Sequence, residues 1–330
     1  MELASKRVVV TGGAGFIGSH VVDALVELGA DVLAIDDLSV GRRENVAAAQ
    51  ALGAELAVCD VRDPAVMDLH LRGADVVIHM VCDNLRASLG QPLRSQEVNG
   101  AGTLVTALAA VRAGVSRFVY ISSSEVYGSA VSVPMSESHP LLPTTVYGAS
   151  KAAGELYAQA CMRTYGLPVA VVRPFNSYGP REHATGTSAE VIPKFTSRIL
   201  AGRSPVIFGD GSQTRDFTWV EETAAGILQV AACDELVGEA VNLAYGRGVA
   251  IRDVCRILLE LLDAEHLEPE FAGERPGDVM RHWANTEKAR RSIGFEATVS
   301  VRAGLQRYVD WIEQSEDGVL VGEADMVRNW

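Results

Sequence analysis

No run of more than two lysines or arginines occurs in the 330 residues, and 42 acidic side chains outnumber 29 basic ones, for a formal charge of −13. A surface of that sign repels nucleic acid and anionic membranes, so neither is an expected partner. Any phosphate on a ligand has to be held by backbone amides and single arginines. There is no CxxC pair. The five cysteines, Cys59, Cys82, Cys161, Cys233 and Cys255, are odd in number and widely spaced, which points to reduced thiols rather than a disulfide framework or a zinc site. No His/Cys/Asp grouping has metal-ligand spacing, so no metal is expected. No apolar stretch approaches a membrane span in length. The opening MELASKRVVV enters a strand at once with no leader pattern before it, so the expected location is the cytoplasm. Low-complexity tracts and internal repeats are also missing, and 48% of the residues are hydrophobic, enough for a large core.

What is present is alternation. Lys6–Val10, Val32–Ile35, Ala54–Val58, Val76–His79, Arg117–Ile121 and Val169–Val172 read as apolar strands. Between them Phe16–Leu28, Pro64–Leu71, Leu93–Ala113 and Val146–Tyr165 carry helical patterns, the first stopped by Gly29. Such alternation predicts a doubly wound parallel sheet of the α/β class, covered on both faces. After Pro174 glycine and proline become frequent and segments shorten. Ile192–Ala201, Ile251–Leu262 and Val301–Gln314 read as helices of a smaller, irregular region. Residues 315–330 read as an acidic peripheral tail.

Val8-Val9-Val10-Thr11-Gly12-Gly13-Ala14-Gly15-Phe16-Ile17-Gly18 is a strand, a glycine turn and a helix start. One glycine makes the tight turn, one lets the backbone approach a pyrophosphate, and one lets helix and strand pack closely. The helix N-terminus offers unpaired N–H groups to the phosphates. Asp36 closes the next strand 18 residues after Gly18. A carboxylate there accepts hydrogen bonds from ribose hydroxyls and repels a 2′-phosphate, which favours NAD. Arg42 and Arg43 in the following loop keep NADP as the alternative.

Tyr147-Gly148-Ala149-Ser150-Lys151 sets a phenol and an ammonium at i and i+4 on one helix face. The expectation is a tyrosine with a lowered pKa, able to act as general base toward a hydroxyl near neutral pH. Upstream, the strand Phe118–Ile121 ends in Ser122-Ser123-Ser124-Glu125-Val126-Tyr127-Gly128. In a parallel sheet, ligands bind beyond the C-terminal ends of the strands.

At these blocks the chain resembles the extended short-chain dehydrogenase/reductase family of nucleotide-sugar epimerases and dehydratases. The resemblance covers roughly residues 6–312. It is carried by TGGAGFIG at 11–18, SSSEVYG at 122–128, YGASK at 147–151, RPFNSYGPR at 173–181, GDGSQTRDF at 209–217 and ERPGD at 274–278. It implies a Rossmann domain over 1–175, rejoined by about 217–250, with a smaller C-terminal α/β substrate-binding region formed by 176–216 and 251–314. It implies Ser123, Tyr147 and Lys151 as the catalytic set, with Glu125 beside them. For NAD it implies Gly12, Gly15, Phe16, Ile17, Gly18 and Asp36, then Asp60 and Val61 at the adenine, Asn99 supporting the lysine, and Pro174 at the nicotinamide. For the sugar nucleotide it implies Ser123 and Ser124, Asn176, Arg215 and Arg275 at the diphosphate, Asp278 at the ribose and Phe208 near the base. Guanidinium forks suit phosphate.

His79 is expected to be structural, His183 to sit on a solvent-exposed loop, and His282 to lie where some relatives limit the sugar pocket. The resemblance also implies a homodimer, pairing Leu93–Ala113 and Val146–Tyr165 into four helices.

The reaction is less sharply marked. Three outcomes share an initial oxidation at sugar C4: epimerisation, 4,6-dehydration and uronate decarboxylation. The family's dehydratases carry an Asp where Ser124 stands. The Ser-Ser-Glu row resembles that of UDP-glucuronate decarboxylases, yet Gly-Ala-Ser between the tyrosine and lysine does not. A 4-epimerase acting on a UDP-hexose or UDP-uronate is therefore favoured, with dehydratase or decarboxylase as alternatives. A non-enzymatic NAD sensor, which would have lost Tyr147 or Lys151, is the remote one.

Overall fold

Three consecutive valines show how the chain is sorted. In the computed structural model Val8 and Val10 face one hydrophobic core and Val9 the other, because side chains alternate along a strand. The structure describes residues 1–184, 189–274 and 278–314. Its strands are β1 (Arg7–Thr11), β2 (Asp31–Asp36), β3 (Glu55–Val58), β4 (Val76–His79), β5 (Arg117–Ile121), β6 (Val169–Pro174), β7 (Asn176–Tyr178), β8 (Val206–Phe208), β9 (Thr214–Trp219), β10 (Ala240–Leu243), β11 (Gly248–Ala250) and β12 (Glu270–Ala272).

Seven of them form one sheet in the order β10-β6-β5-β4-β1-β2-β3, every pair parallel. Helices Phe16–Glu27 and Val220–Ala232 cover one face, where Val21, Leu25, Ile227 and Val230 meet the strands. Helices Pro64–His70, Gly102–Ala113 and Val146–Tyr165 cover the other through Met67, Ala107, Ala110, Ala158 and Cys161. This is the expected doubly wound α/β sheet, apolar on both faces as a parallel sheet must be. The strand order reverses between β1 and β4, the switch point where such sheets bind ligands.

The helix expected over Leu93–Ala113 is broken into three pieces: Pro92–Gln96, a π turn over Glu97–Ala101, and Gly102–Ala113. Spacing alone could not separate these from one α-helix. Helix Val146–Tyr165 has the expected bounds. Thr145 Oγ1 accepts from the Gly148 N–H at 3.1 Å to start it, and Gly166, at φ +75°, ends it.

Beyond Pro174, β7, β9 and β11 form a three-stranded sheet and β8 pairs with β12. Helices Val191–Leu200, Ile251–Leu261 and Val301–Gln314 close around them. Tyr178, Phe217, Trp219, Phe195, Leu258, Leu305 and Tyr308 form a separate core there. The stretch read as a tail, 315–330, lies outside the described residues. No helix among the described residues is long and apolar enough to cross a membrane.

Candidate active site

One crevice runs along the C-terminal ends of the main sheet. It is lined by Gly12, Gly15, Phe16, Ile17, Gly18 and Asp36 at one end, by Ser123, Ser124, Glu125, Tyr147, Lys151 and Pro174 in the middle, and by Asn176, Arg215 and Asp278 at the other. Residues distant in sequence and expected at one site therefore share one cleft.

The glycine turn admits no side chain. A Cβ on Gly12 would lie 2.9 Å from the Val81 nitrogen, and one on Gly18 only 2.1 Å from the Gly12 carbonyl oxygen. Helix Phe16–Glu27 starts directly after Gly15 with no side-chain cap, so its first-turn amides remain available to an anion. Asp36 accepts from the Ala14 N–H at 3.0 Å and the Leu38 N–H at 2.9 Å. A carboxylate has about four acceptor sites, which leaves capacity for ribose hydroxyls; burial raises its pKa, and those two bonds oppose the rise. Bare backbone for a pyrophosphate and a carboxylate for a ribose together fit a dinucleotide. Arg42 and Arg43 do not line the crevice.

Asp60, Val61, Asn99 and Phe208 do not line it either. Asp60 grips Arg62, with Nη2 2.6 Å from its Oδ2, next to Cys59, whose N–H donates to the Asp36 carbonyl. Val61 is buried. Phe208 ends β8. Arg275 lies outside the described residues. Asn99, inside the π turn, accepts from the Asp83 N–H at 2.7 Å and donates to the Ser150 hydroxyl at 2.9 Å and the Asp83 carbonyl at 3.0 Å. It thereby fastens the loop after β4 to the residue beside Lys151.

Ser123 follows β5 and accepts from the Glu125 N–H at 3.2 Å. It lines the crevice together with Tyr147. The expectation of a lowered tyrosine pKa is reversed in this state. Burial holds the phenol well above its ordinary value, and Cys82, Glu125 and Glu190 push the same way, while the Ser123 hydroxyl opposes them. Spacing along a helix reveals neighbours but not desolvation. Lys151 is fully buried, its ammonium 4.8 Å from the centre of the Tyr120 ring, and burial lowers its pKa to about 8. Glu125 is likewise raised by burial.

A second network holds this centre. Arg173 donates to Glu155 at 2.5 Å and to the Tyr127 hydroxyl at 2.9 Å, and Tyr127 donates to Asn242 at 2.6 Å. It joins β6 and β10 to the tyrosine-bearing helix and to the loop after Ser123. At the far end Arg215 pairs with Asp278 and donates to the Val279 carbonyl at 2.6 Å. Asn176 Oδ1 and Ser122 Oγ are buried without a hydrogen-bond partner, which suits groups that meet a polar ligand.

His79 bonds Thr11 at 2.7 Å and Thr103 at 3.0 Å, a structural tie. His183 is not solvent-exposed as expected: it is half-buried, lines the crevice and packs edge-on against Phe16 at 6.5 Å. His282 is fully buried against Phe175, with ring centres 5.1 Å apart, and does not line the crevice. Sequence reasoning missed Cys82, Arg86 and Glu190, which also line it; they sit outside every motif block.

Residues 8–244 match the model of the NAD-dependent epimerase/dehydratase family. The UDP-glucose 4-epimerase of Mycolicibacterium smegmatis is 34% identical over 309 residues, 92% of this chain and 98% of that protein. Among solved structures, the Thermotoga maritima UDP-glucose 4-epimerase with UDP-glucose matches with TM-score 0.88 and 33% identity, covering 93% of this chain and 99% of that one. A dTDP-glucose 4,6-dehydratase from Streptomyces venezuelae, solved with NAD bound, matches with TM-score 0.90 and 34% identity, covering 95% and 98%. A Rossmann sheet with an NAD cleft and homologues on both sides of the epimerase–dehydratase divide lead to one conclusion: this chain belongs to the NAD-dependent epimerase/dehydratase family.

Proposed function

We propose that the protein is a nucleotide-sugar 4-epimerase, a UDP-hexose being the favoured substrate. The observation that carries the reading is that Ser123, Tyr147 and Lys151 line the same crevice as the glycine turn. Bound NAD supplies a reversible hydride acceptor and, when oxidised, a cationic ring. Gly12, Gly15, Phe16, Ile17, Gly18 and Asp36 hold the coenzyme, with Asp60 and Val61 near its adenine and Pro174 near its nicotinamide. Ser123 Oγ orients the sugar C4 hydroxyl, and Tyr147 Oη takes its proton, then returns one to the C4 oxygen after the ring has presented its other face. Lys151 holds the nicotinamide ribose, and Asn99 fixes the segment beside it. Asn176, Arg215 and Arg275 hold the diphosphate, Asp278 the nucleotide ribose, and Ser124 the sugar. Arg215 would exchange part of its pairing with Asp278 for phosphate oxygens.

A 4,6-dehydratase is the second reading, favoured by Glu125, a half-buried acid lining the crevice with a raised pKa. Ser124 argues against it, since a hydroxyl is a poor proton donor to a leaving group. Incubation with UDP-, dTDP- and GDP-sugars, followed by NMR, separates the outcomes. An inverted C4 supports the epimerase; a 4-keto-6-deoxy product or released carbon dioxide overturns it in favour of dehydratase or decarboxylase.

We read residues 1–175 with about 217–250 as the coenzyme half, and 176–216 with 251–314 as the substrate half. The assembly is a homodimer through helices 92–113 and 146–165, which leave Leu93 79%, Leu156 55% and Tyr157 37% exposed. Sedimentation at micromolar concentration is expected to give the dimer mass; a monomer refutes the pairing.

A further inference from the structure

Arg86, Arg94 and Glu190 line the crevice but have no part in the proposed reaction. Three arginines line it among the described residues, and each already has a carboxylate. Arg86 Nη1 lies 2.6 Å from Glu190 Oε2, Arg94 lies 3.6 Å from Asp83, and Arg215 pairs with Asp278. Lys151 covers the Tyr120 ring. Glu125, Glu190, Tyr147 and Lys151 line the same cleft, and both carboxylates bear electrostatically on the Tyr147 phenol, so two acids share the reacting end with one ammonium.

Glu190 precedes helix Val191–Leu200, and its N–H donates to the His183 carbonyl at 2.9 Å, which pins it over the cleft. Arg86 is nine-tenths buried, and its Nε has no hydrogen-bond partner, leaving one donor for a ligand hydroxyl. Using Arg86 instead to bind a ligand carboxylate would strip Glu190 of its counter-ion beside Glu125 and Glu182, on both of which it bears electrostatically. That is the costly case of an uncompensated, partly buried charge.

We propose that Glu190, held by Arg86, is a specificity-determining residue that admits a nucleotide-linked sugar with a neutral C5 substituent and turns away one bearing a carboxylate there. The inference rests on the nucleotide-sugar reading above and narrows it to neutral hexoses.

The test uses NAD-loaded protein with UDP-glucose and UDP-glucuronate as probes, reading Kd by calorimetry and kcat/KM by NMR. Wild type is expected to prefer UDP-glucose at least about tenfold in both. Glu190→Gln, which keeps size and removes charge, is expected to cut that preference by about tenfold, mainly by tightening the uronate. Arg86→Met, which leaves Glu190 without its counter-ion, is expected to widen it; thermal unfolding of each variant checks the fold. An unchanged ratio in Glu190→Gln, or a wild-type preference for the uronate, overturns the proposal. Binding without turnover of either sugar defeats the epimerase reading while the Kd ratio still decides this one. Binding of neither overturns both.

Discussion

The two ends of the crevice are built by different means. At the coenzyme end the decisive features are backbone ones: a turn into which no Cβ fits and a helix that starts uncapped. At the sugar end they are side-chain pairs, Arg215 with Asp278 and Arg86 with Glu190, whose members are 63 and 104 residues apart. Backbone constraints are absolute, since a wrong residue collides with fixed atoms. Ion pairs are adjustable, since either partner can turn toward a ligand. The coenzyme end is therefore expected to fail outright on mutation, and the sugar end by degrees.

Gly18→Ala is the sharpest attempt to break that contrast. Its Cβ would lie 2.1 Å from a backbone oxygen, so NAD binding is expected to disappear in a fluorescence titration; retained binding would show the turn to be deformable. Tyr147→Phe, at the junction of the two ends, is expected to keep the fold and the NAD affinity while kcat falls about 10³-fold. Near-normal turnover would remove Tyr147 from its assigned role.

Lys151→Met is expected to lose activity yet gain stability at neutral pH, by up to about 3 kcal/mol, because the ammonium is buried with its pKa lowered to about 8 from 10.5. Below about pH 8 both the folded and unfolded wild-type chains carry the proton, and the burial cost is felt in full. Between about 8 and 10.5 the folded chain has lost a proton that the unfolded chain keeps, so wild-type stability rises with pH and the variant's advantage shrinks. Denaturant melts at pH 7 and pH 10 test this; an advantage independent of pH would contradict it. Arg215→Met is expected to be mildest, weakening the sugar nucleotide about tenfold through one charged hydrogen-bonding group, with NAD affinity unchanged. Equal loss of both ligands would show the ends to be coupled.

The same contrast explains what the sequence disclosed. Glycines in a strand–turn–helix context, and a Thr cap and glycine stop around Val146–Tyr165, are local signals, and the corresponding elements were legible nearly to the residue. The π turn around Asn99 was not, because one extra residue per turn leaves almost no trace in an apolar pattern. Helix Val220–Ala232 and β10 escaped a clear assignment because they follow a stretch where glycine and proline blur the period. The direction of the Tyr147 pKa was misjudged because spacing on a helix carries no information about burial. Arg86 and Glu190 were invisible as site residues: nothing in either segment reports a partner more than a hundred positions away.

The position of β10 at the border of the main sheet has a consequence for how the molecule comes to exist. A ribosome that has released only the first 175 residues has delivered six of the seven strands. At that moment β6 still offers a bare row of amides and carbonyls, and the face awaiting helix Val220–Ala232 is uncovered. Such a border invites pairing with other chains. The coenzyme-binding half is thus no detachable module, and it can close only after the first segment of the sugar-facing half, 176–216, has been synthesised.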